Sequence, residues 1–246
     1  LNRSRSLLSG VLGQSAIPAK PLRALIDAHI DADLIELIAA RHRTGARLLI
    51  VTTNLDAERS VVWDLGAIAT SDRADKVQLI GEVLEASASV PAIFPPVRIA
   101  VTGRGSAFEE LHADGGAIRQ LYLFPDAFRG GADVGRHPPD IYVIVNAELT
   151  PSFSVVPQQS IRIAERSLAS LEKSSAARSV AEMAEFAHQN RATFRLAFID
   201  RAIPIDRRLP FDPNYMQAAF TLGQTKGRTG AWAFNAPIGT DLLAGK

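Results

Sequence analysis

Leu84-Glu85-Ala86-Ser87-Ala88-Ser89-Val90-Pro91-Ala92-Ile93-Phe94-Pro95-Pro96, followed by His112-Ala113-Asp114-Gly115-Gly116, decides the reading of this chain. The first stretch leaves a helical pattern through small residues and runs into prolines, which end a helix and open a loop. The second places one carboxylate just ahead of a glycine pair. The glycines let the chain turn sharply after a strand and put no Cβ beside the acid. Asp-Gly-Gly is also an ordinary turn in which the Asp bonds backbone N–H groups. Its neighbours along the chain must therefore decide between a turn and a site.

Upstream of these stretches, Leu22, Leu25, Ile26 and Ile30 recur at helical spacing after Pro21, a residue suited to a first helical turn. Asp31 or Asp33 can cap a second helix carrying Leu34, Leu37 and Ile38, and Gly45 suits its end. Leu48 to Thr53 is a short apolar run, the pattern of a buried strand, and Ser60 to Leu65 is a second strand joined to it by residues 54–59. Residues 74–88 read as a helix with Val77, Ile80, Val83 and Leu84 on its apolar stripe.

Downstream, Val97 to Val101 and Phe108 to His112 flank Gly103-Arg104-Gly105 as a hairpin, and Gln120 to Phe124 continues as extended chain. Residues 128–139 read as loop. Ile141 to Val145 is the clearest strand. Ile161 to His188 is a long helical region with a break expected near Ser174-Ser175, Thr193 to Ile199 a strand, and Asp212-Pro213 the start of a last helix. Alternating strands and helices, with several uniformly apolar strands, predict an α/β fold. Its expected centre is a mostly parallel sheet flanked by helices, with an antiparallel addition around residues 97–124.

Composition excludes some functions. The chain has 27 basic and 26 acidic residues, a balance unlike that of a nucleic-acid binder with a basic face. Hydrophobic residues make up 47%, enough for a core. Cysteine is absent, which removes thiol nucleophiles, disulfides and Cys metal sites. No run reaches the roughly 18 apolar residues of a membrane span. The chain starts at Leu1 rather than Met, and the native start is expected upstream.

Four blocks in order carry a resemblance. They are Leu48 to Thr53 with Asn54-Leu55-Asp56 and Val62-Trp63-Asp64; the Ala/Ser/Pro segment 86–96; Asp114-Gly115-Gly116; and Pro210-Phe211-Asp212-Pro213-Asn214-Tyr215-Met216 with Phe220. This series resembles the later part of the patatin-like serine acyl hydrolases and covers most of the chain. The resemblance implies a three-layer patatin-like domain over residues 1–246, incomplete at its N-terminus. It implies hydrolysis of a lipid or other carboxylic ester by a Ser-Asp dyad, with Asp114 as the base and Gly115 and Gly116 shaping the active-site loop. No metal or organic cofactor is implied. The family's Gly-rich oxyanion loop and Gly-x-Ser-x-Gly elbow have no counterpart in this chain, so the nucleophile is expected in a segment outside it.

A carboxylate can deprotonate a Ser hydroxyl within hydrogen-bond reach, which gives Asp114 a chemical reason to be there. Other candidates are weaker. Ser15, Ser87, Ser89 and Ser106 all fail the elbow pattern. The five histidines, at 29, 42, 112, 137 and 188, lack the i, i+4 spacing of a helical metal site. His112 shares a strand face with Asp114 and reads as a surface or packing residue rather than one that tunes the cleft, His137 as a solvated one. Trp63, Phe94 and Phe124 read as core rather than acyl contacts. The glycines at 103 and 105 complete no phosphate-binding fingerprint.

The partners expected are a lipid or ester substrate, a complementary N-terminal segment or a second copy of the chain, and peripheral contact with a membrane, without nucleic acid. The bacterial members of the family point to the cell envelope or secretion. The competing reading is a non-catalytic protein of the same fold that serves binding or assembly.

Overall fold

The computed structural model describes residues 18–91, 93–103, 105–122, 139–201, 203–205 and 212–237. Expectations placed on residues 123–138 and 206–211, among them Phe124, the loop from 128, His137 and Pro210-Phe211, lie outside the described residues, as does Ser15. The chain divides into two compact units, Leu1–Arg119 and Gln120–Lys246.

In the first unit, helix α1 (Lys20–His29) carries its proline in the first turn. Helix α2 (Ala32–Arg43) is capped by Asp31, whose carboxylate accepts from Leu34 N at 2.8 Å. Strands β1 (Leu49–Asn54) and β2 (Arg59–Asp64) form a hairpin. Helix α3 (Leu65–Thr70) follows at once, capped by Asp64 accepting from Ala67 N at 3.0 Å. Helix α4 (Lys76–Ser87) precedes a second hairpin of β3 (Val97–Gly103) and β4 (Ser106–Asp114). Gly105, at φ +80°, makes the hairpin turn, a backbone conformation that favours glycine.

The sheet order is β2-β1-β4-β3, and every neighbouring pair is antiparallel. This corrects the expected mostly parallel central sheet and the three-layer patatin-like architecture built on it. The physical reason lies in the connections. A parallel pair needs a crossover of about a dozen residues or more. Only Leu55-Asp56-Ala57-Glu58 separates β1 from β2. Uniform apolarity in β1 arises instead because β1 and β4 are the inner strands, and Thr52 and Thr53, on opposite faces, are both buried.

One sheet face packs on the helices. Antiparallel register places Ile50 opposite Trp63, Asn54 opposite His112, and Val97 opposite His112, so these residues share a face. Ile50, Trp63 and Val97 pack there against Ile35 and Ala39 of α2, Leu65 and Ala69 of α3, and Ile80 and Val83 of α4. Ile80 and Val83 are fully buried, each contributing about 1.5–3 kcal/mol by leaving water. Arg23 of α1 reaches Glu85 of α4 at 3.3 Å and Asp27 at 2.8 Å, joining the two helices.

The second unit holds the one parallel pair among the described residues. Strand β5 (Asp140–Val145) lies beside β6 (Thr193–Phe198), joined through helix α5 (Ser160–Gln189). The helix runs unbroken for 30 residues, past the expected break at Ser174-Ser175. Ala176, Ser179, Val180, Met183 and Ala187 of its second half are buried, and this packing holds the helix across its serines. Helix α6 (Pro213–Thr229) is capped by Asp212 and continues through Gly223 and Gly227 to Gly230. Strand β5 is buried on one side only: Ile141 and Val143 face the core, while Tyr142 and Ile144 are exposed. Among the described residues, no helix is long and apolar enough to cross a membrane.

Candidate functional site

Asp114 is the last residue of β4 and caps the single 3-10 turn Gly115–Ala117. Its Oδ1 accepts from Gly116 N at 2.6 Å. Among the described residues the carboxylate has no other hydrogen-bond donor. The residue is half-buried. Burial pushes the carboxyl above its ordinary pKa, against the lowering effect of the Gly116 N–H.

Three contacts fix the backbone beneath this carboxylate. Asp114 N donates to the carbonyl oxygen of Ser89 at 3.0 Å, so the Ala/Ser/Pro segment docks on the end of β4. The buried Thr53 hydroxyl donates to the Asp114 carbonyl oxygen at 2.9 Å. A Cβ on Gly115 would lie 2.7 Å from the Val51 carbonyl oxygen, so the turn passes β1 at a distance only glycine permits. The quoted stretches therefore meet: the loop after α4 and the Asp-Gly-Gly turn sit against one another and against β1.

Ser87 and Ser89 belong to helix-end packing. Ser87 Oγ donates to the Leu84 carbonyl oxygen at 3.2 Å and Ser89 Oγ to that of Glu85 at 2.8 Å. Ser106 is exposed at the hairpin. Phe94 is half-buried in the turn that follows Val90.

His112 is fully buried on the core face. Its Nδ1 lies 2.9 Å from Thr52 Oγ1, and its Nε2 lies 3.4 Å from Glu110 Oε2. Trp63 Nε1 donates to the same Thr52 hydroxyl at 2.8 Å and meets the imidazole edge to face, with ring centroids 5.6 Å apart. The Glu110 carboxylate can only accept, so the proton of the neutral ring belongs on Nε2 and Nδ1 accepts from the Thr52 hydroxyl, which still has a lone pair for Trp63. Burial pushes the imidazole below its ordinary pKa, with Glu110 opposing. The chain Trp63–Thr52–His112–Glu110 thus holds the Asp114 strand against β1 and β2.

Of the surface and packing roles open to His112, burial selects packing, and Trp63 packs against the core as an aromatic residue in a strand is expected to. The sequence marks Thr52 and Thr53 only as strand residues; the signal for their role is a hydroxyl inside an apolar run, because a buried hydroxyl needs a partner.

No protein-family model matches this chain, and no curated protein matches it significantly. The resemblance to patatin-like hydrolases rests on the residue blocks alone.

Proposed function

We propose that this chain supplies the base of a Ser-Asp acyl hydrolase of the patatin-like kind, acting on a lipid or related carboxylic ester. The observation that carries the reading is the Asp114 carboxylate, half-buried at a strand end with its basicity raised and, among the described residues, one N–H bound to it. A base of this kind accepts the hydroxyl proton as a serine attacks the ester carbonyl, and later takes a proton from the water that releases the acyl group. Backbone N–H groups hold the oxyanion in such sites. In this reading the serine and those N–H groups come from a segment outside these 246 residues, which packs on this chain as its complementary part. No step calls for a metal or an organic cofactor.

The test is Asp114→Asn in the protein that includes the nucleophile segment. The amide keeps the side-chain size and can still accept from Gly116 N–H, but it cannot take the proton. Ester hydrolysis is expected to fall by about 10²–10⁴-fold, with the fold unchanged by circular dichroism. Retention of more than about a tenth of the rate, well outside that range, would return Asp114 to the role of a turn residue. The 246-residue chain alone is expected to give no stoichiometric fluorophosphonate adduct, and a single rapidly labelled serine within it would overturn the assignment.

The second reading, a non-catalytic binding or assembly protein, is favoured by one observation: no serine in the sequence stands in Gly-x-Ser-x-Gly. The native protein's sequence beyond these residues separates the two readings, since an elbow there favours the enzyme.

A further inference from the structure

We propose that the cleft between α2 and the start of β1 binds a medium-chain fatty acid, its alkyl chain along the cleft and its carboxylate at Arg41. The proposal stands independently of the acyl-hydrolase reading and shares no residue with the Asp114 site.

The cleft has a volume of about 270 Å³. Leu34, Leu37 and Ile38 of α2 form one wall, and Leu48 stands among the residues opposite. Leu37 is 64% and Leu48 43% exposed, so the apolar walls lie open to water. Gly66 of α3 also lines the cleft, with the His42 ring packed where a Gly66 side chain would begin.

Two guanidiniums stand among these apolar groups, Arg41 and Arg47. Arg47 is already engaged, donating to the carbonyl oxygens of His42 at 3.3 Å and Ala46 at 2.9 Å, with Nε 3.9 Å from Asp64. Arg41 has no side-chain partner among the described residues. Helix capping does not need it either. The last carbonyls of α2 accept from the backbone N–H groups of Thr44, Gly45 and Ala46 and from the Thr44 hydroxyl. Asp64, the acid beside Arg47, caps α3 and faces His42 at 3.5 Å. An unpaired guanidinium beside an open apolar cleft fits a ligand with one anionic head and one apolar tail. A planar carboxylate suits the fork of a guanidinium.

The cleft lies just below the roughly 300–1,000 Å³ of small-molecule pockets, with room for one alkyl chain.

The experiment titrates the ¹⁵N-labelled 246-residue chain with sodium decanoate below its micelle concentration, following backbone amides. Shifts are expected at Arg41, Ala46, Leu48 and Gly66. From hexanoate to decanoate each added methylene that enters the cleft should tighten binding about fourfold. Arg41→Ala should weaken decanoate about three- to fivefold, the scale of a solvent-exposed ion pair. Leu37→Ser should weaken it and flatten the chain-length series. Both side chains are exposed, so the fold is not at stake. Asp114→Asn should bind decanoate unchanged, which keeps this result separate from the hydrolase reading. Decanol binding as tightly as decanoate would overturn the proposal, as would an unchanged affinity in Arg41→Ala or the absence of shifts at the cleft. Tighter binding of decyl phosphate than of decanoate would overturn the carboxylate.

Discussion

The Val51 carbonyl oxygen stands 2.7 Å from the point where a side chain on Gly115 would begin. The obstacle is backbone in an inner strand, so it cannot swing aside as a flexible side chain would. Gly115→Ala is expected to destabilise the first unit by about 1–3 kcal/mol, the cost of forcing volume into a packed site. It should also displace the Asp114 turn from β1. Urea unfolding of the variant beside wild type measures the first effect, and the Thr53 and Gly116 amide shifts report the second. An unchanged midpoint would mean that β1 yields more easily than its buried neighbours suggest.

Much of the local structure could be read from residues with a mechanism. Asp31 and Asp212 cap their helices, and the strands flanking Gly103 and Gly105 pair as the expected hairpin. Sheet direction was harder, because an apolar run says that a strand is buried and not which way its neighbour points. The short Leu55-to-Glu58 connection carried that information and outweighs the apolar pattern. Helix α3 has no clear signal of its own, because Asp64 ends a strand and caps Ala67 N–H at once. At the site, Asp114-Gly115-Gly116 was visible as a motif. The clamp of Thr53 and Ser89 on the Asp114 peptide was not, since it joins residues far apart in sequence.

Burial of the Asp114 carboxylate predicts a pH signature in stability. Its pKa is raised in the folded chain. Between the unfolded value near ~3.9 and the higher folded value, the native state binds more protons than the unfolded state. Stability must therefore fall as pH rises through that window and then level off. Asp114→Asn removes the penalty and keeps an acceptor for Gly116 N–H. The variant is expected to be more stable than wild type at pH 7, with the difference shrinking as pH drops through the carboxylate range. Paired denaturant midpoints at several pH values check this. A variant less stable at pH 7 would show that the charged form is favoured by its surroundings.

His112 gives a signature of opposite slope. Its pKa is lowered by burial, so below the ordinary value near ~6.5 the unfolded chain takes a proton that the folded chain refuses. Stability is fully present above that value and is lost as pH falls toward the folded pKa. His112→Gln should cost stability at every pH, because it breaks the Trp63–Thr52–His112–Glu110 chain. It should also flatten the slope below the ordinary imidazole value. The slope, not the absolute cost, is the reading that matters. An equally steep slope in the variant would assign the titration to another group.

The exposed side of β5 makes the last prediction. Ile144 is 72% and Tyr142 55% exposed, on a strand that pairs only with β6 among the described residues. Parallel strands are ordinarily covered on both faces, so an open apolar face of this kind favours contact with another surface. Arg195, over the Tyr142 ring at 4.9 Å and paired with Asp140 at 2.6 Å, shields one end of the face and leaves Ile144 open. The 246-residue chain by itself is expected to bind a hydrophobic reporter dye and to associate as its concentration rises. Ile144→Thr keeps a β-branched residue in the strand and removes apolar surface. It should lower dye binding and raise the concentration at which association begins. Its effect on unfolding should stay within about 0.5 kcal/mol, as for other surface changes. Dye fluorescence and sedimentation velocity across a concentration series decide the matter. A wild-type chain that is monomeric and dye-silent throughout would show that this face needs no cover, and would count against a complementary segment seated on it.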